Sequence, residues 1–481
     1  MKKIFVLTLF ISLVLSGCKD FLVEEPILSQ STDLTMSTYN GLNASVAGAY
    51  SPLASTTWYG AFYLLDAEMR AGNATIPTNT DFTSGRMMGA HDLSYNPTST
   101  SGLWGLAYYV ISAVNNVMDN LEGKATGDIT QQDLDNLRAE CLFLRALAHF
   151  DMVRLYANSY VKDANGMGIP VILHTDQTAT QQPARNTVDQ VYDQIIADLL
   201  EAEGLIEDDY VRAGVADPKA TATLPAIQAL LSRAYLYTQQ WQLAADYATL
   251  VINNADYSLW TAAQYPGVWD NSIAGAGGEV IFELYAVQTN EYDGWWEGPS
   301  HMTNPIGYAD CAAHTDLTSL YEAGDVRGTM FRTDPDNVSG SLWTTKYIGK
   351  GLGDALSTPD VSNVVILRLS EMYLNRAEAI INGASIAGTT ALNDLNTIRS
   401  NRGAAALTSA GSDIVFLERR LELAFEGHLW FDYARTNRPS TRSNEGSTVY
   451  ALDANDYRWA LPIPQRELDV NKNLVQNNGY N

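Results

Sequence analysis

The sequence predicts a mainly α-helical protein, in which several pairs of helices stack into a superhelix that carries loop-rich insertions and short strands. Three observations support this prediction. Apolar residues recur at three- and four-residue steps over much of the chain, which is the spacing of one helix face. Two segments, 225–252 and 366–399, each contain two helical patterns of similar length, as in repeat proteins. The stretch between them is rich in Gly, Asp, Asn, Pro and aromatic residues, which is typical of long loops.

Composition narrows the classes of protein that this chain can be. Its 481 residues include 30 Lys and Arg against 55 Asp and Glu, so the formal net charge is −25. That balance disfavours a nucleic-acid partner, which needs clustered basic residues, and disfavours adhesion to anionic lipid by charge alone. A hydrophobic share of 46% fits a packed core. The 26 Tyr and 10 Trp suggest surfaces that carry flat, hydrogen-bonding rings.

The N-terminus resembles the export signal of a bacterial lipoprotein. Lys2 and Lys3 precede an apolar run over residues 4–15, which is too short to span a bilayer but suits a secretory signal. The run ends in Leu-Ser-Gly-Cys at residues 15–18, which resembles a lipobox. The resemblance implies a signal peptide over 1–17, an acylated Cys18 and a lipidated tether over 18–35. Several acyl chains would anchor the protein stably.

Three helices are predicted in the first part of the body. Helical periodicity covers residues 106–121 and 134–155. A third helix begins with Thr187 and Gln190, which have the spacing of a capping box, and we expect it to end near Gly204. Residues 36–258 are expected to form the N-terminal helical part.

Residues 225–252 match the spacing of a tetratricopeptide (TPR) repeat. Two helices are predicted on either side of residues 239–240, and small residues at Ser232 and Ala244 allow them to approach closely. Tyr235 and Trp241 fill the space around these small residues. The match departs from the pattern at Gln239, where Gly is usual.

The C-terminal part, residues 259–481, is predicted to contain the insertions and the last TPR-like pair. Residues 279–285 read as a strand, because they are apolar and follow a glycine cluster. The last pair is predicted over 366–399, with Gly383 and Gly388 between its helices. Several such pairs bury their apolar faces by stacking on their neighbours.

No sequence motif for catalysis is found, and no catalytic residue is assigned. Glu418, Glu422 and Glu426 lie at four-residue steps on one helix face, a spacing that a retaining glycosidase could use. The neighbouring Arg419 and Arg420 favour a salt-bridged structural face instead. We therefore expect no enzyme activity, with a glycosidase as a less favoured alternative.

Cofactor and metal sites are not predicted either. Side chains of metal-ligand types lie between residues 301 and 314 without compact spacing, and an acidic loop at 334–337 gives only a weak calcium signal. Cys141 lies on a helix face and is expected to be a buried free thiol, with a disulfide to Cys311 as the alternative. The metal-ligand candidates are His301, Asp310, Cys311, His314, Asp334, Asp336 and Asn337.

Five aromatic residues are predicted to bind a ligand: Trp58, Tyr59, Trp295, Trp296 and Trp343. They lie in segments rich in Gly, Ser and Thr rather than in helical patterns, and adjacent side chains such as Trp295 and Trp296 diverge in direction. A sugar ring presents an apolar C–H face on which an aromatic ring can stack, while polar groups satisfy its hydroxyls. Local packing is the alternative for each of these residues.

The C-terminal region resembles one specific family. Residues 418–428 read ERRLELAFEGH, residues 461–464 read LPIP and residues 476–480 read QNNGY. This is similar to the tail of the SusD/RagB family of outer-membrane nutrient-binding lipoproteins of the Bacteroidota. Segments 109–116, 138–146 and 370–379 resemble repeat helices of the same family, in the same order.

The resemblance implies a TPR-like superhelix of about four helix pairs with loop-rich insertions. It also implies a surface-exposed protein, anchored by lipid in the outer membrane, that associates with a SusC-type TonB-dependent transporter. Family ligands are usually oligosaccharides and sometimes peptides. We therefore predict a cell-surface oligosaccharide-binding lipoprotein that captures a nutrient and delivers it to the transporter. A peptide receptor of the same architecture is the alternative, and a TPR adaptor for another protein is a further, less favoured one.

Overall fold

The fold was analysed in a computed structural model. It describes residues 35–77, 85–98, 101–175, 181–215, 217–269, 278–285, 298–305, 307–333, 340–348, 362–443 and 449–480. The segments predicted as signal peptide and tether therefore lie outside the described residues, apart from residue 35.

Helices dominate the described residues, and the strands are short. The helices are α1 (Tyr39–Tyr50), α2 (Phe62–Ala71), α3 (Met88–Asp92), α4 (Ser101–Asp119), α5 (Gln131–Tyr156), α6 (Tyr160–Asp163), α7 (Val188–Leu205), α8 (Leu224–Tyr237), α9 (Trp241–Ile252), α10 (Tyr265–Val268), α11 (Pro299–Met302), α12 (Thr315–Thr318), α13 (Leu369–Ile381), α14 (Ala391–Arg402), α15 (Ser412–Glu422), α16 (Leu429–Arg435) and α17 (Gln465–Val470). The strands are β1 (Ala74–Thr75), β2 (Val280–Leu284), β3 (Ala312–Ala313), β4 (Phe331–Thr333), β5 (Leu342–Thr344), β6 (Val364–Arg368), β7 (Ser440–Ser443) and β8 (Val449–Leu452).

Eight helices pack one on the next in the order α1, α4, α5, α7, α8, α9, α13 and α14. Read in twos, this order gives four stacked pairs, which confirms the predicted superhelix. The predicted capping box is present at the start of α7, where Thr187 and Gln190 each accept the other's backbone N–H. A second capping box, at Thr130 and Asp133, starts α5.

The pair α8 and α9 has the close approach that its small residues predict. The Ser232 hydroxyl donates to the Ala244 carbonyl at 2.9 Å, so the two helices meet at these positions. Gln239 lies in the turn between them with a φ of 58°, in the left-handed region. The last pair, α13 and α14, begins at Leu369 rather than at residue 366, because residues 364–368 form strand β6.

The strands connect the insertions to the helical scaffold. Strand β2, which confirms the prediction for residues 279–285, pairs antiparallel with β6. A second sheet has the order β1-β3-β5-β4, so the turn after α2 is joined to loops more than two hundred residues away. Strands β7 and β8 form a hairpin.

The C-terminal segment closes on the first half of the chain. The Leu461 N–H donates to the Leu155 carbonyl at 2.7 Å, and the Gln465 N–H donates to the Pro97 carbonyl at 2.9 Å. The Asn477 side chain donates to the carbonyls of Tyr156 and Leu461. These bonds attach the tail to the end of α5 and to the segment before α4.

The two cysteines in the described residues are both free and buried, as the default for Cys141 predicts; the alternative, a disulfide to Cys311, is not present. Within the described ranges, no helix combines the length and the apolar character needed to cross a membrane.

Candidate functional site

The structure corrects the ligand prediction for three of the five aromatic residues. Trp58 and Trp343 have no exposed surface, and Tyr59 is 2% exposed. The Trp58 indole N–H donates to Asp151 at 2.8 Å, and its ring stacks on Tyr59 with 6.0 Å between centroids. Rings buried to this extent offer no face to a sugar, so these three residues are packing residues here. Trp295 and Trp296 lie outside the described residues.

Packing explains why these aromatics are buried although their sequence surroundings suggest exposure. Residues 51–61 fold back through a series of tight backbone turns directly before α2. The partner of Trp58, Asp151, lies on α5 and is distant in sequence. Trp343, on β5, packs against Ala309 and Ala312 in a small apolar cluster.

The three glutamates at four-residue steps are structural, as the sequence favours. Glu418 accepts from Arg327 at 2.6 Å, and Glu426 accepts from Lys346 at 2.5 Å. Glu422 receives charged hydrogen bonds from three arginines: Arg327, Arg368 and Arg402. Although burial opposes it, these guanidinium groups hold the pKa of Glu422 well below its usual range. Carboxylates saturated in this way are not placed as an acid and base pair around a substrate.

The metal-ligand types between residues 301 and 314 are also buried, and packing or capping accounts for their positions. His314 Nδ1 accepts the backbone N–H of Asp316 at 2.9 Å and thereby caps α12. No cluster of three His, Cys, Asp or Glu side chains suited to a metal ion occurs in the described part of the chain. The weak calcium candidates at 334–337 lie outside it.

A half-open cavity of about 270 Å³ is the strongest candidate site in the described structure. One face of α2 forms its floor, because positions 62, 66 and 70, together with 63 and 67, lie on the same side of a helix. The remaining walls come from α4, the end of α5, α16, the tail and the loops that carry Thr57, Arg86 and Tyr95. The lining residues are Thr57, Phe62, Tyr63, Asp66, Ala67, Arg70, Arg86, Tyr95, Gly102, Leu103, Leu155, Tyr156, Trp430 and Leu461.

The polar groups of the cavity are held by aromatic neighbours. The Tyr95 hydroxyl donates to Asp66. The guanidinium of Arg70 lies 3.7 Å from the centroid of the Trp430 ring and 5.3 Å from that of Tyr95. Burial raises the pKa of the Asp66 carboxyl to about 6, although the hydrogen bond from Tyr95 and the Arg70 charge both lower it.

The cavity is open to solvent at Arg86 and Gly102, which are exposed. The Arg86 guanidinium lies 4.0 Å from the centroid of the Tyr308 ring, so an arginine on an aromatic face forms part of the rim. Aromatic walls with a few fixed polar groups are the usual lining of a small-molecule site. Such a site can stack a ring-shaped ligand and hydrogen-bond its edge.

Sequence reasoning missed this cavity because its lining comes from segments spread between residues 57 and 461. The only local signal was on α2, where Asp66 and Arg70 interrupt an otherwise apolar face. That signal is weak, because a single Asp–Arg spacing of this kind is common on helix surfaces.

A stacked helical-repeat scaffold with an aromatic-lined, half-open cavity defines a class of binding proteins. Comparisons with known proteins place the chain within that class. Residues 20–236 match a family model described as starch-binding and associating with the outer membrane, and residues 332–480 match the SusD family model. The chain belongs to the SusD/RagB family.

Individual relatives are similar to this chain over most of its length. SusD-like protein P2 of Formosa agariphila is 26% identical over the full length of both chains. The starch-binding protein SusD of Bacteroides thetaiotaomicron is 22% identical, covering 81% of this chain and 80% of that protein.

Solved structures show the same fold. A SusD superfamily protein of Bacteroides vulgatus is 28% identical with a TM-score of 0.81, over 92% of this chain and 99% of that one. Surface glycan-binding protein A of Bacteroides thetaiotaomicron, solved with laminarihexaose, is 20% identical with a TM-score of 0.73, over 92% of this chain and all of that one. The second similarity supports the fold alone.

Proposed function

We propose that this protein is a cell-surface oligosaccharide-binding lipoprotein that captures a nutrient and delivers it to a SusC-type TonB-dependent transporter, without catalysing a reaction. The observation that carries the proposal is the aromatic-lined cavity on a repeat scaffold. Its half-buried rings, Phe62 and Tyr95, can stack on the C–H faces of a sugar, while Asp66 and Arg70 meet the hydroxyls. The relatives named for starch and glycan binding support the same ligand class.

The anchor and the partner are part of this proposal. The lipobox-like residues 15–18 support acylation of Cys18 and attachment to the outer membrane, in line with the family description of residues 20–236. Mass spectrometry of the N-terminal peptide checks the acylation. Co-purification from the native membrane checks the transporter, which should be recovered with the protein.

The function is tested by titrating the full-length protein, purified in detergent, with neutral and acidic oligosaccharides and with peptide mixtures. Binding of a saccharide without release of reducing ends supports a non-catalytic receptor. Steady release of reducing ends would mean a glycosidase. Binding of peptides alone would favour the alternative, a peptide receptor of the same architecture.

Trp295 and Trp296 remain proposed ligand contacts. We expect Trp295→Ala or Trp296→Ala to weaken saccharide binding by about 1–3 kcal/mol without lowering the melting temperature. Trp58→Phe is the matched control, since Trp58 is buried and should change stability rather than affinity. Unchanged affinity in both loop variants removes these two residues from the site.

A further inference from the structure

Two of the buried arginines in the described residues, Arg70 and Arg442, form no ion pair with a carboxylate. Every other buried arginine there forms an ion pair with a carboxylate, as Arg145 does with Asp198. Arg70 and Arg442, 2% and 3% exposed, do not. Each donates to backbone carbonyls only, and the Nε of each has no hydrogen-bond partner in the described structure.

Arg442 has a structural explanation. Its guanidinium donates at 2.9 Å to the Met69 carbonyl, in the last turn of α2, where the helix dipole favours a positive charge. Arg442 is not among the residues that line the cavity. Its missing carboxylate therefore indicates helix capping rather than a ligand.

Arg70 is different, because it lines the cavity. One of its terminal nitrogens donates to the Arg458 carbonyl at 2.9 Å, and its guanidinium faces the Trp430 ring. An aromatic face attracts a cation but carries no neutralising charge. A buried cation without a counter-ion is costly, so the site is left with a charge that an anionic ligand would neutralise.

The other charged groups of the cavity do not supply that counter-ion. Asp66 accepts the Tyr95 hydroxyl and forms no ion pair with Arg70. Burial disfavours the ionised form of Asp66 and raises the pKa of its carboxyl to about 6. Arg86 adds a second guanidinium at the rim. Among the lining residues that the structure describes, the charged groups are two arginines and one carboxyl.

The overall charge of −25 does not argue against an anionic ligand. Charges separated by more than about 8 Å are largely screened at physiological ionic strength, so groups in direct contact decide what the cavity accepts. The overall charge also disfavours non-specific adhesion of acidic polysaccharides. Retention of such a polymer would therefore report a specific site.

We propose that the cavity selects acidic saccharides, with a sugar carboxylate or sulfate ester held against Arg70 and the sugar ring packed on the half-buried Phe62 and Tyr95. This inference rests on the proposed function and names its substrate class. A guanidinium donates charge-assisted hydrogen bonds to either anionic group.

Affinity gel electrophoresis of the full-length protein in detergent tests the proposal. Polygalacturonate and alginate form the carboxylate arm, carrageenan forms the sulfate arm, and laminarin and starch form the neutral arm. We expect at least tenfold tighter binding in one acidic arm than in the neutral arm, and the arm that binds identifies the anionic group. Added salt should weaken the acidic interaction.

Variants assign the effect to the cavity. Arg70→Met keeps the length and apolar packing of the side chain and should lower the acidic affinity at least tenfold, with less salt dependence. Arg442→Met is the matched control, because it removes a buried, carboxylate-free arginine outside the cavity and should leave the affinity unchanged. Arg86→Met, at an exposed position, gives the same test of the cavity if Arg70→Met does not fold.

The outcomes separate the two proposals. Neutral polymers bound as tightly as acidic ones, or an acidic affinity unchanged in Arg70→Met and Arg86→Met, would overturn the acidic class and leave glycan binding in place. Failure of all three arms, with binding of peptides, would overturn the proposed function as well.

Discussion

Gln239 occupies a backbone conformation that its own side chain disfavours. Its φ of 58° lies in the left-handed region, where a Cβ atom is crowded by the backbone. The turn between α8 and α9 nevertheless needs this conformation, which is why TPR-like pairs usually have Gly there. The replacement of the usual Gly by Gln239, seen in the sequence, therefore introduces local backbone strain in the structure.

We expect Gln239→Gly to stabilise the protein by about 0.5–1 kcal/mol, because relief of left-handed strain exceeds the extra freedom that glycine gives the unfolded chain. Urea unfolding measures the change. Gln240→Gly is the control, since Gln240 has a φ of −82° and should gain nothing from glycine. Equal effects of the two substitutions would contradict the explanation.

At the scale of elements, one buried ion network ties together helices from distant parts of the sequence. Glu422, at the end of α15, bonds Arg368 at the end of β6 and Arg402 at the end of α14. Arg402 also bonds Glu279, next to β2. The segment that carries β2 and the last helix pair are therefore joined through the same ion network.

We expect Glu422→Gln to lower the free energy of unfolding by about 3–5 kcal/mol, because it leaves buried guanidinium groups without their counter-ion. Thermal or urea unfolding measures the loss. Asp413→Asn is the matched control: the Asp413 side chain is 89% exposed and its pair with Arg438 should contribute less than about 1 kcal/mol. A similar loss in both variants would show that burial of the network does not matter.

Elements with a local cause were predictable from sequence. The capping box at Thr187 and the small residues Ser232 and Ala244 act within one turn or one helix pair, so their consequences can be read from spacing. The start of the last helix pair was predicted at residue 366 instead of Leu369, because residues 364–368 become a strand only through pairing with β2. Apolar spacing does not distinguish a short buried strand from the start of a helix.

The candidate site was harder to predict, because it depends on partners distant in sequence. Trp58 looks exposed in its own segment but is buried against Asp151 of α5. The cavity, conversely, brings Arg70 against Trp430, and no spacing within α2 indicates that contact. Exposure of an aromatic residue is a property of the tertiary structure.

For the molecule as a whole, buried histidines couple stability to pH. Burial, with a smaller effect of the Arg145 charge, lowers the pKa of His149 to about 3, and His428 is lowered well below its ordinary value. A histidine in the unfolded chain has a pKa of about 6.5. As the pH falls below about 6.5, the unfolded chain binds protons that the folded chain does not, so the folded state loses stability.

We expect the free energy of unfolding to fall by about 1.4 kcal/mol per pH unit for each such histidine below about pH 6.5. Urea unfolding of the original protein and the variant between about pH 7.5 and 5.5 measures the slope, and the titration of Asp66, whose pKa is about 6, is common to both and cancels in the comparison. His149→Leu should flatten the slope. Leu147→Ala, a buried substitution on the same helix that removes no titratable group, should lower stability without changing the slope. An unchanged slope in His149→Leu would rule out this residue as a source.

The attachment of the tail to α5 has a consequence for how the protein is made. The Leu155 carbonyl receives its hydrogen bond from Leu461, and Leu461 also forms one wall of the cavity. A chain cut short before Leu461 therefore lacks one wall of its recognition surface, even if every helix pair is made in full.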